Sequence, residues 1–208
     1  YRAFPGTLTI TDSWQFYLDP YITYFTPSGL RHSLKSRIYM TNSDNSNSQS
    51  TKNETYYLEY AASKELTRIG QTHVSFGFVT NQSFVHAELY SSSGKSDNRM
   101  QNYALFAQFD KKFWDVLNLS LGFRGEYFQI NDTENTVKPI VRAGANLKLA
   151  KVSFLRFSYG QGYRYPTITE KYISTSVGGI TIFPNPELQP ETSWNAEIGV
   201  KQGFNIDR

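Results

Sequence analysis

The sequence contains no cysteine. That excludes a disulfide framework and any thiolate metal site. Histidine is scarce too. His32, His73 and His86 form no metal-ligand spacing, and each reads as a structural or solvated side chain, so no metal is expected. No apolar run approaches the ~18 residues that mark a membrane-spanning helix. Charge of one sign is also missing: 21 Lys and Arg are scattered among 18 Asp and Glu, for a net charge of +3. No basic run offers a footprint for nucleic acid. There is no G-x-S-x-G, no H-E-x-x-H and no phosphate-binding loop, so neither an enzyme nor a bound cofactor is expected. Helical periodicity is almost absent. "ELTRIGQ" is too short, and "AASKEL" fits a strand pattern better.

What the chain has instead is aromatics and alternation. Phe, Trp and Tyr make up 16% of the 208 residues, in a chain that is otherwise polar. Such residues favour the half-buried surface of a pleated sheet. Period-2 alternation recurs over ~9–13 residues, broken by polar turns. In "NLSLGFRGEYFQI", Leu119, Leu121, Phe123 and Tyr127 oppose Ser120, Gly122, Arg124 and Glu126. In "VKPIVRAGANLKL", Val137 to Leu149 oppose Lys138, Arg142, Asn146 and Lys148. In "LRFSYGQGYR", Leu155, Phe157, Tyr159 and Tyr163 oppose Arg156, Ser158, Gly160, Gly162 and Arg164. "TSWNAEIGVK" sets Trp194, Ala196, Ile198 and Val200 against Glu197 and Lys201. The links alternate in length. Those at 42–53, 79–101 and 165–192 read as long, and 131–136 as medium. Those at 65–71, 111–116 and 150–151 read as short.

Alternation of this kind suits two antiparallel architectures. A soluble sandwich or barrel buries its apolar face. An outer-membrane barrel turns that face to lipid and lines its lumen with the polar one. Three features favour the membrane. The strands match the ~9–11 residues of a transmembrane β-strand rather than the ~5–6 of a globular one. Aromatics (Trp14, Tyr103, Phe113, Trp114, Tyr127, Tyr163 and Trp194) cluster near strand ends. Long and short links fall at opposite ends of the array. The expected fold is therefore all-β: an antiparallel up-and-down transmembrane β-barrel.

Three segments then carry a family resemblance. "NYALFAQFDKKFWDVLNLSLGFRGEYF" is similar to a Tyr-Ala-x-Phe-Ala-Gln strand, short turn and Leu-x-Leu-x-x-Gly-x-Arg strand. "LRFSYGQGYRYPT" is similar to an Arg-x-Ser-x-Gly-x-Gly-Phe-Arg-x-Pro strand, with Tyr163 in place of Phe. "NPELQPETSWNAEIGVK" is similar to an Asn-Pro-x-Leu-x-Pro-Glu-x-Ser strand start. In this order they resemble the TonB-dependent receptors of the Gram-negative outer membrane, over residues 101–204; over 1–100 only the strand rhythm agrees. The motif positions are Tyr163, Arg164, Pro166, Asn185, Pro186, Leu188, Pro190 and Glu191.

The resemblance implies a 22-stranded barrel with a plugged lumen. Residues 1–208, opening on Tyr1, would be a partial barrel of roughly ten strands, without the N-terminal plug domain or the C-terminal end of the barrel. It implies energy-dependent uptake of a scarce nutrient, with a ferric siderophore or similar chelate as the first reading and a glycan as the alternative. Implied partners are outer-membrane lipid, the receptor's own plug, the TonB energy-coupling protein acting through the absent N-terminus, and a small-molecule ligand. It places 41–53, 79–101, 131–136 and 165–191 outside the cell and 150–151 in the periplasm. Arg124, Glu126, Arg142, Arg156, Arg164 and Glu197 would face the lumen and plug. There they form ion pairs or, for some of the arginines, steer an anionic ligand. In the outer loop, Tyr165, Lys171, Tyr172 and Phe183 are candidate ligand contacts. No histidine lies between Pro166 and Asn185, which disfavours haem as the ligand. The competing classes are a passive porin or adhesin barrel, a soluble β-sandwich lectin, and a barrel enzyme with acidic or Ser/His residues at its rim.

Overall fold

A computed structural model of the chain describes residues 8–93, 96–132, 134–177 and 179–204. Twelve strands form: β1 (Thr11–Leu18), β2 (Tyr21–Phe25), β3 (Arg31–Asn45), β4 (Thr51–Leu66), β5 (Thr72–Ala87), β6 (Asp97–Phe113), β7 (Leu117–Ile130), β8 (Glu134–Ala150), β9 (Ser153–Arg164), β10 (Thr175–Val177), β11 (Ile180–Ile182) and β12 (Glu191–Gln202). A 3-10 turn at Glu88–Ser93 follows β5, and a short helix α1 (Ile168–Tyr172) follows β9. Ten strands make one antiparallel sheet in the order β1-β3-β4-β5-β6-β7-β8-β9-β12, with β2 also paired to β3; β10 and β11 form a separate hairpin. From β3 to β9 each strand pairs with its sequence neighbours, as up-and-down topology requires, and β12 pairs with β9 across the segment that holds α1, β10 and β11. Among the described residues the sheet does not close on itself. β1 and β2 share β3 as partner and act as one edge strand, interrupted at Asp19-Pro20. Pro20 has no N–H to give a ladder, and Asp19 uses the break to accept from Arg37 Nε (2.7 Å) and Nη2 (2.6 Å).

The register sorts side chains into two faces. One carries continuous apolar rows: Leu34, Tyr60, Phe78 and Leu105 stand opposite one another, as do Phe76, Ala107, Phe123 and Val141. Phe76, Leu105, Leu121, Phe123, Phe157, Ile198 and Val200 are all exposed there. A band of this extent faces lipid, because monomers in water rarely expose apolar patches beyond a few hundred Å². Aromatics mark its edges. Tyr103 and Tyr127 lie 6.2 Å apart at one edge, and Phe113 and Trp114 5.7 Å apart at the other. From Tyr103 to Phe113 is ten residues along β6, ~34 Å at ~3.4 Å per residue, or ~24 Å of height at a ~45° tilt. That matches the ~25 Å apolar band of a transmembrane barrel.

The other face is polar. At one height it runs Lys35, Glu59, Val79, Ala104, Glu126, Lys138 across six strands. The small buried residues Val79 and Ala104 leave room for the longer charged chains on either side. A hollow of about 990 Å³ lies on this face towards the end with short turns.

Strands run further than alternation suggests. β3 continues through Asn45 and β4 starts at Thr51, so the link expected at 42–53 shrinks to 46–50. The link expected at 79–101 is likewise mostly strand, since β5 runs to Ala87 and β6 begins at Asp97. At 14–17 residues, β3 to β8 overshoot the membrane. Beyond it both faces meet water, so backbone pairing persists while alternation lapses.

Candidate functional site

The site lies at the end of the sheet with the longer links, on the polar face. β9 pairs with β8 only as far as Gly160 opposite Arg142, while its pairing with β12 continues to Arg164. The Val141 N–H, at the parting, donates to Gln161 Oε1 (3.0 Å) instead of to the β9 backbone. Pro139, two residues along the same edge, has no N–H to offer. Here Tyr163 leaves the lipid side, where alternation had put it with Leu155. It packs on Phe128 (6.1 Å) beneath the Lys138 ammonium (5.8 Å), both on the polar face. The cause is the lost β8 partner, which frees the strand end to turn inward.

Residues 165–173 then fold over the polar face rather than out into solvent. Thr167 caps α1 with a reciprocal box. The Glu170 N–H donates to Thr167 Oγ1 (3.2 Å), and the Thr167 N–H donates to Glu170 Oε2 (2.8 Å). Tyr165 stacks on Phe128 (4.9 Å, 3°), and the Lys171 ammonium lies 5.8 Å from the Tyr165 ring. Tyr90 and Thr169 share a 2.7 Å hydrogen bond, and the Ser174 N–H donates to Leu89 O (2.9 Å). Tyr165, Ile168 and Tyr172 thereby join Ala87, Tyr90 and Ile130 in a buried apolar cluster. It caps the ends of β5, β6 and β7.

One ion-pair clasp holds the base of this cap. Arg164 Nη1 donates to Glu170 Oε1 (2.9 Å) and Oε2 (3.0 Å); Nη2 and Nε donate to Glu191 Oε1 (2.9 Å) and Oε2 (3.3 Å). The Thr167 N–H, then Arg164 and the Thr167 hydroxyl, hold the Glu170 carboxyl down to about 2. The clasp explains the spacing of the family motif. Glu191 is the cross-strand partner of Arg164, so the Tyr163-Arg164-x-Pro166 half meets the Asn185-Pro186-x-Leu188-x-Pro190-Glu191 half at the loop's base. The Asn185 N–H ties the second half to α1 through Lys171 O (2.8 Å), and the Leu188 N–H returns to Asn185 O (3.4 Å).

The four loop candidates separate. Tyr165, Lys171 and Tyr172 sit inside the cap, Lys171 at 2% exposure, and present little surface to a ligand. Phe183, 75% exposed, stands out beyond the β10–β11 hairpin with Ile180. The lumenal candidates separate too. Arg124 pairs with Glu126 (2.5 Å), and Arg164 is in the clasp. Arg156 and Glu197 line the hollow, with His73 and Asp110 3.6 Å apart nearby. Arg142 shares their face between Gly122 and Gly160. Alternation did not show Phe128, Ile130, Tyr90 or Glu170 as parts of one site; the Thr167-x-x-Glu170 spacing was the local signal that a helix starts here. Among the described residues no group of three His, Asp or Glu is placed to hold a metal.

A family model described as TonB dependent receptor-like, beta-barrel, matches residues 2–208. No curated protein matches the chain. Among the solved structures that share its fold are three outer-membrane receptors. The siderophore receptor PirA from Pseudomonas aeruginosa is 16% identical, with TM-score 0.76 over 94% of this chain and 38% of its own. A double mutant of the Serratia marcescens hemophore receptor HasR, in complex with its hemophore HasA and heme, is 15% identical, with TM-score 0.71 over 94% and 37%. The alcaligin outer-membrane receptor FauA from Bordetella pertussis is 14% identical, with TM-score 0.59 over 94% and 34%. The chain thus spans less than two fifths of each of these structures.

Proposed function

We propose, from the premise that this chain belongs to the TonB-dependent receptor β-barrel family, that it forms part of the wall and outer mouth of a receptor for energy-dependent uptake of a scarce nutrient. Receptors of this family reside in the outer membrane of Gram-negative bacteria, and so does this chain. The nutrient is a ferric siderophore or similar chelate. The observation that carries this reading is the cap: residues 165–173 turn into the mouth and are clasped there by Arg164, a restriction that a freely open pore does not need. Solved neighbours named as siderophore and alcaligin receptors support the ligand class, and the absence of histidine between Pro166 and Asn185 argues against haem. In this arrangement Phe183 and its hairpin meet the ligand first. A plug from the receptor's N-terminal region fills the lumen against Arg124, Glu126 and Glu197, and the TonB protein pulls on that plug.

The test uses the full-length receptor in its own outer membrane. Cells are given iron-55 on a panel of hydroxamate, catecholate and carboxylate siderophores, with and without a protonophore. Uptake that stops with the proton gradient supports the reading. Uptake that survives its collapse overturns it and leaves a passive pore.

A further inference from the structure

We infer that Lys64, Arg68 and Lys111, on the lipid side of the wall at the end with short turns, hold the phosphate of an anionic phospholipid. The inference rests on the placement of this chain in the outer membrane and takes nothing from the identity of the cargo. Among the described strand residues, the lipid face carries Lys52 and Arg99 at one end and Lys64 and Lys111 at the other, with no Lys or Arg between. The two ends differ in what surrounds these cations. At the end with longer links Lys52 pairs with Glu54 (2.9 Å), and Asp44 and Asp97 share the same face. Arg99 lies over Phe84 (5.3 Å). At the other end no described strand residue on this face is acidic. Glu65 and Asp110 alternate to the polar face, and Asp115 is taken by Lys112 (2.5 Å). Lys64, Arg68 and Lys111 are left with no carboxylate partner among the described residues.

The register gathers the three. Lys64 stands opposite Val74 of β5, and Lys111 opposite Thr72. They are thus two strands and two residues apart, ~12 Å between backbones. Each ammonium rides on a stem of ~6 Å, so one phosphate between them meets both. Arg68 is in the 67–71 turn, which is tied to β6 by the Lys112 N–H donating to Gln71 O (2.9 Å). Lys111 lies two residues, ~5 Å of height, inside the edge marked by Phe113. Its ammonium is 5.0 Å from the Phe113 ring, towards the turns, so its charge leaves the hydrocarbon for the headgroup layer. Deeper in the membrane, Phe76 and Phe109 are exposed to lipid; on the turns, so are Ile69 and Trp114. A phosphate that carries acyl chains satisfies both parts of this surface, the cations and the apolar track beside them. Free phosphate satisfies only the first. Cations without a counter-charge also favour a headgroup of net negative charge over a zwitterionic one, whose own ammonium they repel.

The test uses the full-length receptor in lipid vesicles, with no substrate and no gradient, so it reads the same whether or not uptake is energised. Phe76→Cys, on the lipid face beside the site, carries the sole bimane label. Its quenching is compared between brominated phosphatidylglycerol and brominated phosphatidylcholine at equal mole fraction. Phosphatidylglycerol should be preferred about tenfold or more. Lys64→Gln, Arg68→Gln and Lys111→Gln should each cut that preference about two- to fivefold, and the triple variant should lose it. Lys64→Arg should keep it, and so should Lys52→Gln at the opposite end. Heat-dependent gel mobility reports that each variant is folded. Inorganic phosphate, matched in ionic strength by a chloride control, should not compete; if it abolishes the preference, the cations are a site for free phosphate and the inference fails. It fails too if the two lipids quench alike, or if the triple Gln variant keeps the preference, which is then set elsewhere on the barrel.

Discussion

Leu121 gives the sharpest test of the two-faced wall. It lies on the lipid face of β7, between Phe109 of β6 and Ala143 of β8, and is 54% exposed. Six residues separate it from Tyr127 at the outer aromatic edge, ~14 Å of height at ~3.4 Å per residue and ~45° tilt, which puts it near the middle of the ~25 Å band. Leu121→Arg therefore places a guanidinium at the bilayer midplane, at a cost of ~2–4 kcal/mol. That is about a thirtyfold to several-hundredfold shift in the folding equilibrium. Tyr127→Arg, at the interface, should cost only ~0–1 kcal/mol. Ser120→Arg, the very next residue but on the lumenal side, should cost far less than Leu121→Arg. The assay is reversible folding of the full-length receptor into lipid vesicles across a urea series, read by gel mobility shift. If Ser120→Arg costs as much as Leu121→Arg, or Tyr127→Arg costs more than either, the assignment of faces is wrong.

Three further outcomes follow from the cap and the wall. Arg164→Gln removes the cation between Glu170 and Glu191, and amide hydrogen exchange at residues 167–173 of the full-length receptor should speed up a few-fold while that of β6 and β7 stays unchanged; uniform exchange would deny the clasp a role. The Glu170 carboxyl, held at about 2 against an ordinary 4.5, contributes stability that is complete above about pH 4.5, declines progressively below it and is gone once pH has fallen through about 2. Its carbon-13 resonance should therefore stay flat from pH 7 to 4, and a midpoint near 4.5 would contradict the capping geometry. A Cβ on Gly77 would overlap the carbonyl oxygen of Tyr60 and come within 2.6 Å of the Phe106 ring. Gly77→Val should thus lower folding stability by ~1–3 kcal/mol in the urea assay, and a neutral result would place Phe106 elsewhere.

The lipid-facing part of the wall was legible residue by residue, because bilayer and lumen impose opposite chemistry on alternate positions. Leu119, Leu121 and Phe123 on one side of β7, with Arg124 and Glu126 on the other, needed only a period-2 pattern. Where that constraint ends, so did the reading. Asn42 to Asn45 and Thr51 to Asn53 look like loop because they are polar throughout, yet they are paired in register, Asn42 with Lys52 and Ser43 with Thr51. The cap was hidden for another reason. Tyr165, Lys171 and Tyr172 look like exposed loop residues, and nothing near them in sequence says otherwise; their partners Phe128, Ile130 and Tyr90 lie tens of residues away. Tyr163 changed sides because β9 loses β8 at Gly160, an event set by the neighbouring strand and its Pro139.

The clustering of Tyr90, Ile130 and Tyr165 sets an order of assembly. From β3 to β9 every main-sheet ladder joins strands consecutive in the chain, so each hairpin can zip onto the one before it with a short loop to close, and β12 returns to β9 after the longer link 165–190. The cap is the exception. Thr169 reaches Tyr90 across 79 residues, and it has nothing to rest on until β5, β6 and β7 stand side by side. This end of the wall is therefore the last part to take shape, and a wall assembled without the cap would leave Ala87, Met100, Phe128 and Ile130 uncovered on its polar face.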